Sequence, residues 1–166
     1  MRKTTVFVCS LLLAVSAMAQ EKKPLSPPAK AEATIGGKKV TVDYSAPSKR
    51  DRKIMGGLVP YGQVWRTGAN AATTLTTETD LMIGDLHVPA GKYTLYSLPG
   101  EKDWTLIVNK QTGQWGTEYN QAQDLGRVAM KVSPVKDTVE TFVIGIDKNL
   151  SLTWENTKAW VPITAH

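Results

Sequence analysis

Cysteine occurs once in this 166-residue chain, as Cys9, and histidine only twice, as His87 and His166. With so few soft or imidazole ligands, a zinc site would need carboxylates to complete it, and a cysteine nucleophile is excluded once the leader is gone. No G-x-S-x-G stretch is present to make Ser45, Ser48, Ser97 or Ser133 a hydrolase nucleophile, and His87 would be the only base for one. No acidic loop has EF-hand spacing. We therefore expect neither metal nor cofactor. Long apolar runs are also lacking. The one that exists, Val6 to Met18, follows Arg2 and Lys3 and ends at the small residues Ala17 and Ala19. It is shorter than the roughly 20 residues a membrane span needs. Residues 1–19 thus read as a secretory signal peptide, with no later transmembrane segment to replace it. Phe7 and Val8 before Cys9 argue against a lipid anchor. The expected location is the periplasm or the extracellular space.

What remains has a net charge of +3, unevenly placed: Lys22 to Lys53 carries nine basic and three acidic side chains. Such a basic segment suits an anionic surface or polymer, or is simply a solvated arm. No aromatic residues are interleaved with those lysines, so a nucleic-acid partner is not expected. Residues 20–30, QEKKPLSPPAK, read as an extended tether. Residues 31–166 read as one domain, because a chain of about 150 residues buries roughly 70% of its unfolded surface without disulfides.

From Ala31 on, apolar and β-branched residues recur with period two and are punctuated by turn pairs such as Gly36-Gly37, Gly84-Asp85, Pro99-Gly100 and Lys148-Asn149. That pattern predicts an all-β fold: an antiparallel β-sandwich, jelly-roll-like or a partly closed barrel, of about eight to ten strands. Alternation assigns Trp104, Leu106 and Val108 to one core face, as it does Val128, Met130 and Val132, then Phe142, Ile144 and Ile146, then Leu150, Leu152 and Trp154. Two long connections, Ser45 to Asn70 and Gln111 to Gly126, interrupt the rhythm. Connections this long are often binding loops, and the tryptophan and tyrosine in both indicate that they pack on something.

The most specific stretch lies in the first of these, VPYGQVWRTGAN, Val59 to Asn70. With SPPA, VDYSAPS, PAGKYTLYSLP, WTLIVNK, WGTEYN and DLGRVAM, it resembles the recurring segments of a bacterial family, the domain of unknown function 2911. The resemblance covers most of the chain after the leader and implies an exported, predominantly β protein, with no activity or catalytic residues to carry over. One departure is KRDR, Lys49 to Arg52, where the family pattern has a glycine before the second arginine; Arg52 still fits it.

Two chemistries can be drawn from the loops. Glu118 and Asp124 flank Tyr119, and Glu101 with Asp103 precedes Trp104, so paired carboxylates could serve a hydrolase or lyase together with Arg66 and a tyrosine such as Tyr93. Nothing in their spacing sets the two groups on opposing walls, and Asp124 is equally suited to cap a turn or pair with an arginine. Alternatively, Arg66 and Asn70 could clamp a small anionic or glycan ligand between Tyr61, Trp65, Tyr93, Trp115 and Tyr119, since a guanidinium offers a planar fork of five donors. Arg66 also has a purely structural account, in which it pairs with Asp124 or Asp43 and ties the long loops together. We prefer that account, because buried polar groups that fix loops are a common device. The functional expectation is a non-enzymatic ligand-binding or envelope-associated module, with the hydrolase or lyase as the alternative.

Overall fold

Gly36 and Gly37 adopt φ values of 58° and 75°, backbone that a side chain disfavours, and the turn they form joins the first two strands. These are β1, Pro28–Ile35, and β2, Lys38–Ser45, antiparallel from Pro28 opposite Ser45 to Ile35 opposite Lys38. The computed structural model describes residues 23–166, so the expected signal peptide, with Cys9, lies outside the described residues. β1 starts at Pro28, within the segment read as a tether; it is an edge strand, where a leading proline costs no ladder hydrogen bond.

The remaining strands are β3, Thr74–Thr77; β4, Leu81–Ile83; β5, Leu86–Val88; β6, Gly91–Pro99; β7, Trp104–Asn109; β8, Asp124–Ile146; and β9, Asn149–Ala165. All nine form one antiparallel sheet in the order β1-β2-β3-β6-β7-β8-β9-β4-β5, which is not closed into a barrel. A 3-10 turn at Gln121–Gln123 is the one helical element among the described residues. Two pairs of runs that read as separate strands are continuous. RVAMKVSP and TVETFVIGI both lie in β8, because the irregularities between Pro134 and Val139 and between Val139 and Val143 bend the strand without ending it. LSLTWENT and AWVPI likewise both lie in β9.

The sheet folds over onto itself. The backbone amide of Ile144 in β8 donates to the hydroxyl of Tyr44 in β2, buried and at 3.1 Å, although three strands separate them in the sheet order. Leu86 of β5 rests on Gly126 of β8, which has no side chain to hold it off. Between the two layers lies one continuous core built from the alternating sets: Leu106, Val108, Val128, Met130, Phe142, Ile144, Leu150 and Leu152 are buried, and Val132 and Ile146 pack at its margin.

The first long loop, residues 46–73, is held as an irregular extra strand along the second half of β6, where β3 has ended. Leu95 donates to the carbonyl of Thr73 at 2.9 Å, Trp65 and Ser97 exchange both backbone bonds at 2.7 and 3.0 Å, and Gly62 donates to Pro99 at 2.8 Å. The second loop, residues 110–123, is bonded to the first: Gly116 donates to the carbonyl of Asn70 at 3.0 Å and Ala72 to that of Gln114 at 3.2 Å. Their backbones tie the loops together.

Candidate functional site

Trp65 anchors the site. Its indole stacks on Trp154 of β9 with centroids 5.9 Å apart and meets Phe142 edge-on at 5.0 Å. After it the chain turns through conformations that side chains rarely adopt: Thr67 at φ 54° and Asn70 at φ 60°. For a β-branched residue this is strained backbone, of a kind that clusters at functional sites. It is held by a buried network in which the Thr67 and Ser97 hydroxyls lie 2.9 Å apart and the Thr73 hydroxyl donates to the Thr67 carbonyl at 2.8 Å. Arg66 leaves this turn with its aliphatic stem against Gly116, where a Cβ would come within 2.8 Å of its Cδ.

Beyond the Arg66 stem opens a cavity of about 680 Å³. Of the four arginines among the described residues, three line it: Arg50, Arg52 and Arg66. Among the described residues, no carboxylate does. Arg52 is fixed by donating from Nε to the Lys49 carbonyl at 2.9 Å and from Nη2 to the Ser48 carbonyl at 2.7 Å, which leaves its other donors without a partner among the described residues. The Arg50 backbone amide is held by Glu140 at 2.8 Å. Among the described residues, no hydrogen bond or ion pair engages the guanidinium of Arg50 or of Arg66. Between the two arginines of KRDR, Asp51 has φ 58°, a conformation that glycine adopts without strain.

The ion pairs expected for Arg66 are not formed. Asp124 instead accepts from Arg127 Nε at 3.0 Å, from the Tyr119 hydroxyl at 2.7 Å and from Asn109 Nδ2 at 2.9 Å, while Asp43 pairs with Lys30 at 3.1 Å. Arg127 lies three residues from Asp124, and a bulge opposite Val108 and Asn109 brings both side chains to one face, where strict alternation would separate them. Asp124 raises the pKa of Arg127, and burial followed by Asp124 raises that of Tyr119, so this tyrosine is a neutral donor. Tyr96, edge-on to Tyr119 at 4.8 Å, is likewise pushed up by burial.

Of the residues proposed from the sequence, Trp65, Arg66, Asn70 and Tyr119 come together on the cavity wall. Tyr61 lines a separate recess of about 320 Å³ beside Glu101 and Trp104. Tyr93 is buried with its hydroxyl on the Pro89 carbonyl, and Trp115 is 51% exposed outside the cavity lining. Glu118 is exposed, and neither it nor Asp124 lines the cavity. Sequence reasoning missed Arg50, Arg52, Tyr96 and Trp154; the recurring second arginine of KRDR was the available signal for Arg52. His87 lies on β5 with Nε2 3.0 Å from Asp80, and among the described residues no three such side chains gather as metal ligands do.

The sequence profile of a protein family of unknown function, DUF2911, matches residues 26–163, which include every residue of this wall except Leu25. The chain belongs to that family. No curated protein and no solved structure matches it. For a DUF2911 chain the site therefore has to be read from its own chemistry. That chemistry is a concave, partly aromatic surface with convergent cationic donors. Among the described residues no helix is long and apolar enough to cross a membrane.

Proposed function

We propose that this protein is an exported, non-enzymatic binding module whose ligand is a small organic anion, acidic sugars included. One observation carries the reading: three of the four arginines among the described residues line a single cavity, with no carboxylate among its described lining residues, and the Arg66 guanidinium has no partner among the described residues. Grouping like charges is unfavourable unless an anion completes the site, and arginine forks suit carboxylates and phosphates. A volume of about 680 Å³ falls within the range of small-molecule sites. A hydrolase or lyase built on Glu118 and Asp124 has less support, because neither lines the cavity and Asp124 is engaged by three donors. Docking on an envelope surface through the basic leading segment is weakened by its own acids, with Lys30 on Asp43 and Lys39 on Glu32.

The test is thermal unfolding of wild type and Arg66→Met against a panel of carboxylates, phosphates and uronates. At a hundredfold excess over Kd, a ligand of the folded state adds about 2.7 kcal/mol, or roughly 5–11 °C for a chain of this size. Arg66→Met should melt within the range of ordinary surface substitutions, about 0.5 kcal/mol, and lose the response. A wild type that responds to no anion, or a variant that responds as wild type does, would overturn the proposal.

A further inference from the structure

The described residues expose six large hydrophobic side chains, and three of them, Leu25, Leu58 and Val64, lie on the arginine-lined cavity. Single exposed apolar residues are unremarkable, but a cluster rimmed by polar groups marks a place where something apolar docks. Nor are these three loose loop residues. Leu58 precedes the fully buried Val59, whose amide donates to Ile54 at 2.9 Å. Val64 precedes Trp65, which is fixed to Ser97 by two backbone bonds. Leu25, 73% exposed, precedes the buried Ser26, while Pro27 accepts from Ala46 at 2.9 Å. Each is held out by an anchored neighbour. Aromatic platforms for a sugar ring are by contrast largely taken, since the Trp65 indole is stacked on Trp154 and abutted by Phe142.

We infer that the ligand is an amphipathic organic anion, with its carboxylate or phosphate on the guanidinium groups of Arg50 and Arg66 and its aliphatic or aryl body across Leu25, Leu58 and Val64. This rests on the anion-binding reading above and adds the apolar body to it. An entirely hydrophilic anion would leave that apolar rim in water, and a neutral hydrocarbon would leave the guanidinium groups unpaired. Charge and apolar surface are complementary to one molecule carrying both.

The test is a titration followed by intrinsic tryptophan fluorescence, since Trp65 and Trp154 border the cavity. The probes are n-alkanoates from acetate to decanoate below their micellar concentrations, together with decanol, inorganic phosphate and vesicles of phosphatidylglycerol. Affinity should climb about twofold to fourfold per added methylene, the upper figure corresponding to full burial of each group at about 0.8 kcal/mol. Leu58→Gln and Val64→Asn, both at exposed positions, should flatten that climb, so that decanoate affinity falls by more than acetate affinity. Arg66→Met should weaken every carboxylate by about tenfold or more. Acetate or inorganic phosphate binding as tightly as decanoate would overturn the apolar body and leave the anion site standing. Decanol matching decanoate would overturn the anion site and this inference with it, as would the absence of binding by any probe. Binding to vesicles without binding to monomeric decanoate would overturn it in favour of a membrane surface.

Discussion

Replacing Asp124 by alanine removes one acceptor from three donors at once. Its Oδ2 receives the Tyr119 hydroxyl at 2.7 Å and Arg127 Nε at 3.0 Å, and its Oδ1 receives Asn109 Nδ2 at 2.9 Å. The Asp124 side chain is only 12% exposed, so water does not replace the carboxylate without rearrangement. Hydrogen bonds to a charged group contribute about 1.5–3 kcal/mol each, but the three are not equal here. Arg127 is 37% exposed and finds solvent, which brings its share down towards the roughly 0.2–1 kcal/mol of surface pairs. The Tyr119 hydroxyl keeps the bond it accepts from Arg127 Nη2, and Asn109 keeps its bond to the Asn120 carbonyl. Allowing for these, Asp124→Ala should cost about 3 kcal/mol, and Asp124→Asn about half as much. A urea titration followed by tryptophan fluorescence should show the midpoint falling with the slope unchanged, and the melting temperature falling by roughly 6–12 °C. A loss below about 1 kcal/mol would refute the reasoning and leave the cluster as solvated decoration. An Asp124→Asn variant of full stability that lost a turnover would instead return this carboxylate to chemistry.

Three further outcomes follow from the same geometry. Asn70→Gly should be close to neutral in stability, whereas Asn70→Ala, forced to φ 60°, should lose about 1 kcal/mol by chemical unfolding. Gly116→Ala sets a Cβ within 2.7 Å of the Asn70 carbonyl oxygen and 2.8 Å of Arg66 Cδ, so it should lower stability by about 1–3 kcal/mol and weaken anion binding together. Asp80 accepts from the Ala90 amide at 2.9 Å and from the His87 ring at 3.0 Å, contacts that lower its pKa from 3.8, the amide contributing most. Its unfolded form thus binds the proton first, and the stability it contributes is full above about pH 3.8 and lost as pH falls through the lower folded value. Comparing urea midpoints at pH 5 and pH 3 should show a smaller drop for Asp80→Asn than for wild type.

Much of the sheet was legible because period two and turn chemistry are local. Gly36-Gly37 and the alternating residues of β7, β8 and β9 declare their faces without reference to the rest of the chain. Continuity was not legible: Pro134 and the polar residues after it break the pattern of β8, and only pairing with β9 carries the strand across its bulges. The site was legible in part for the same reason. Trp65, Arg66 and Asn70 stood out by residue type in an over-long loop, whereas Arg50 and Arg52 belong to a charged run that looks like ordinary solvated surface. Arg66 was assigned the wrong partners because the sequence offers several acids and no distances. Asp124 went to the arginine that a bulge had turned towards it.

By itself, then, the sequence determined an all-β chain, the places where its strands turn, the residues that fill its core and the family to which it belongs, since each of these depends on short-range periodicity or a contiguous match. Only the tertiary structure decided that the strands form one folded sheet, that backbone bonds rather than an arginine join the two long loops, and that Arg50, Arg52 and Arg66 face one cavity with Leu25, Leu58 and Val64. The physical reason is that charge pairing and cavity walls depend on which distant segments meet, and here that was decided by where the sheet folds and where β8 bulges.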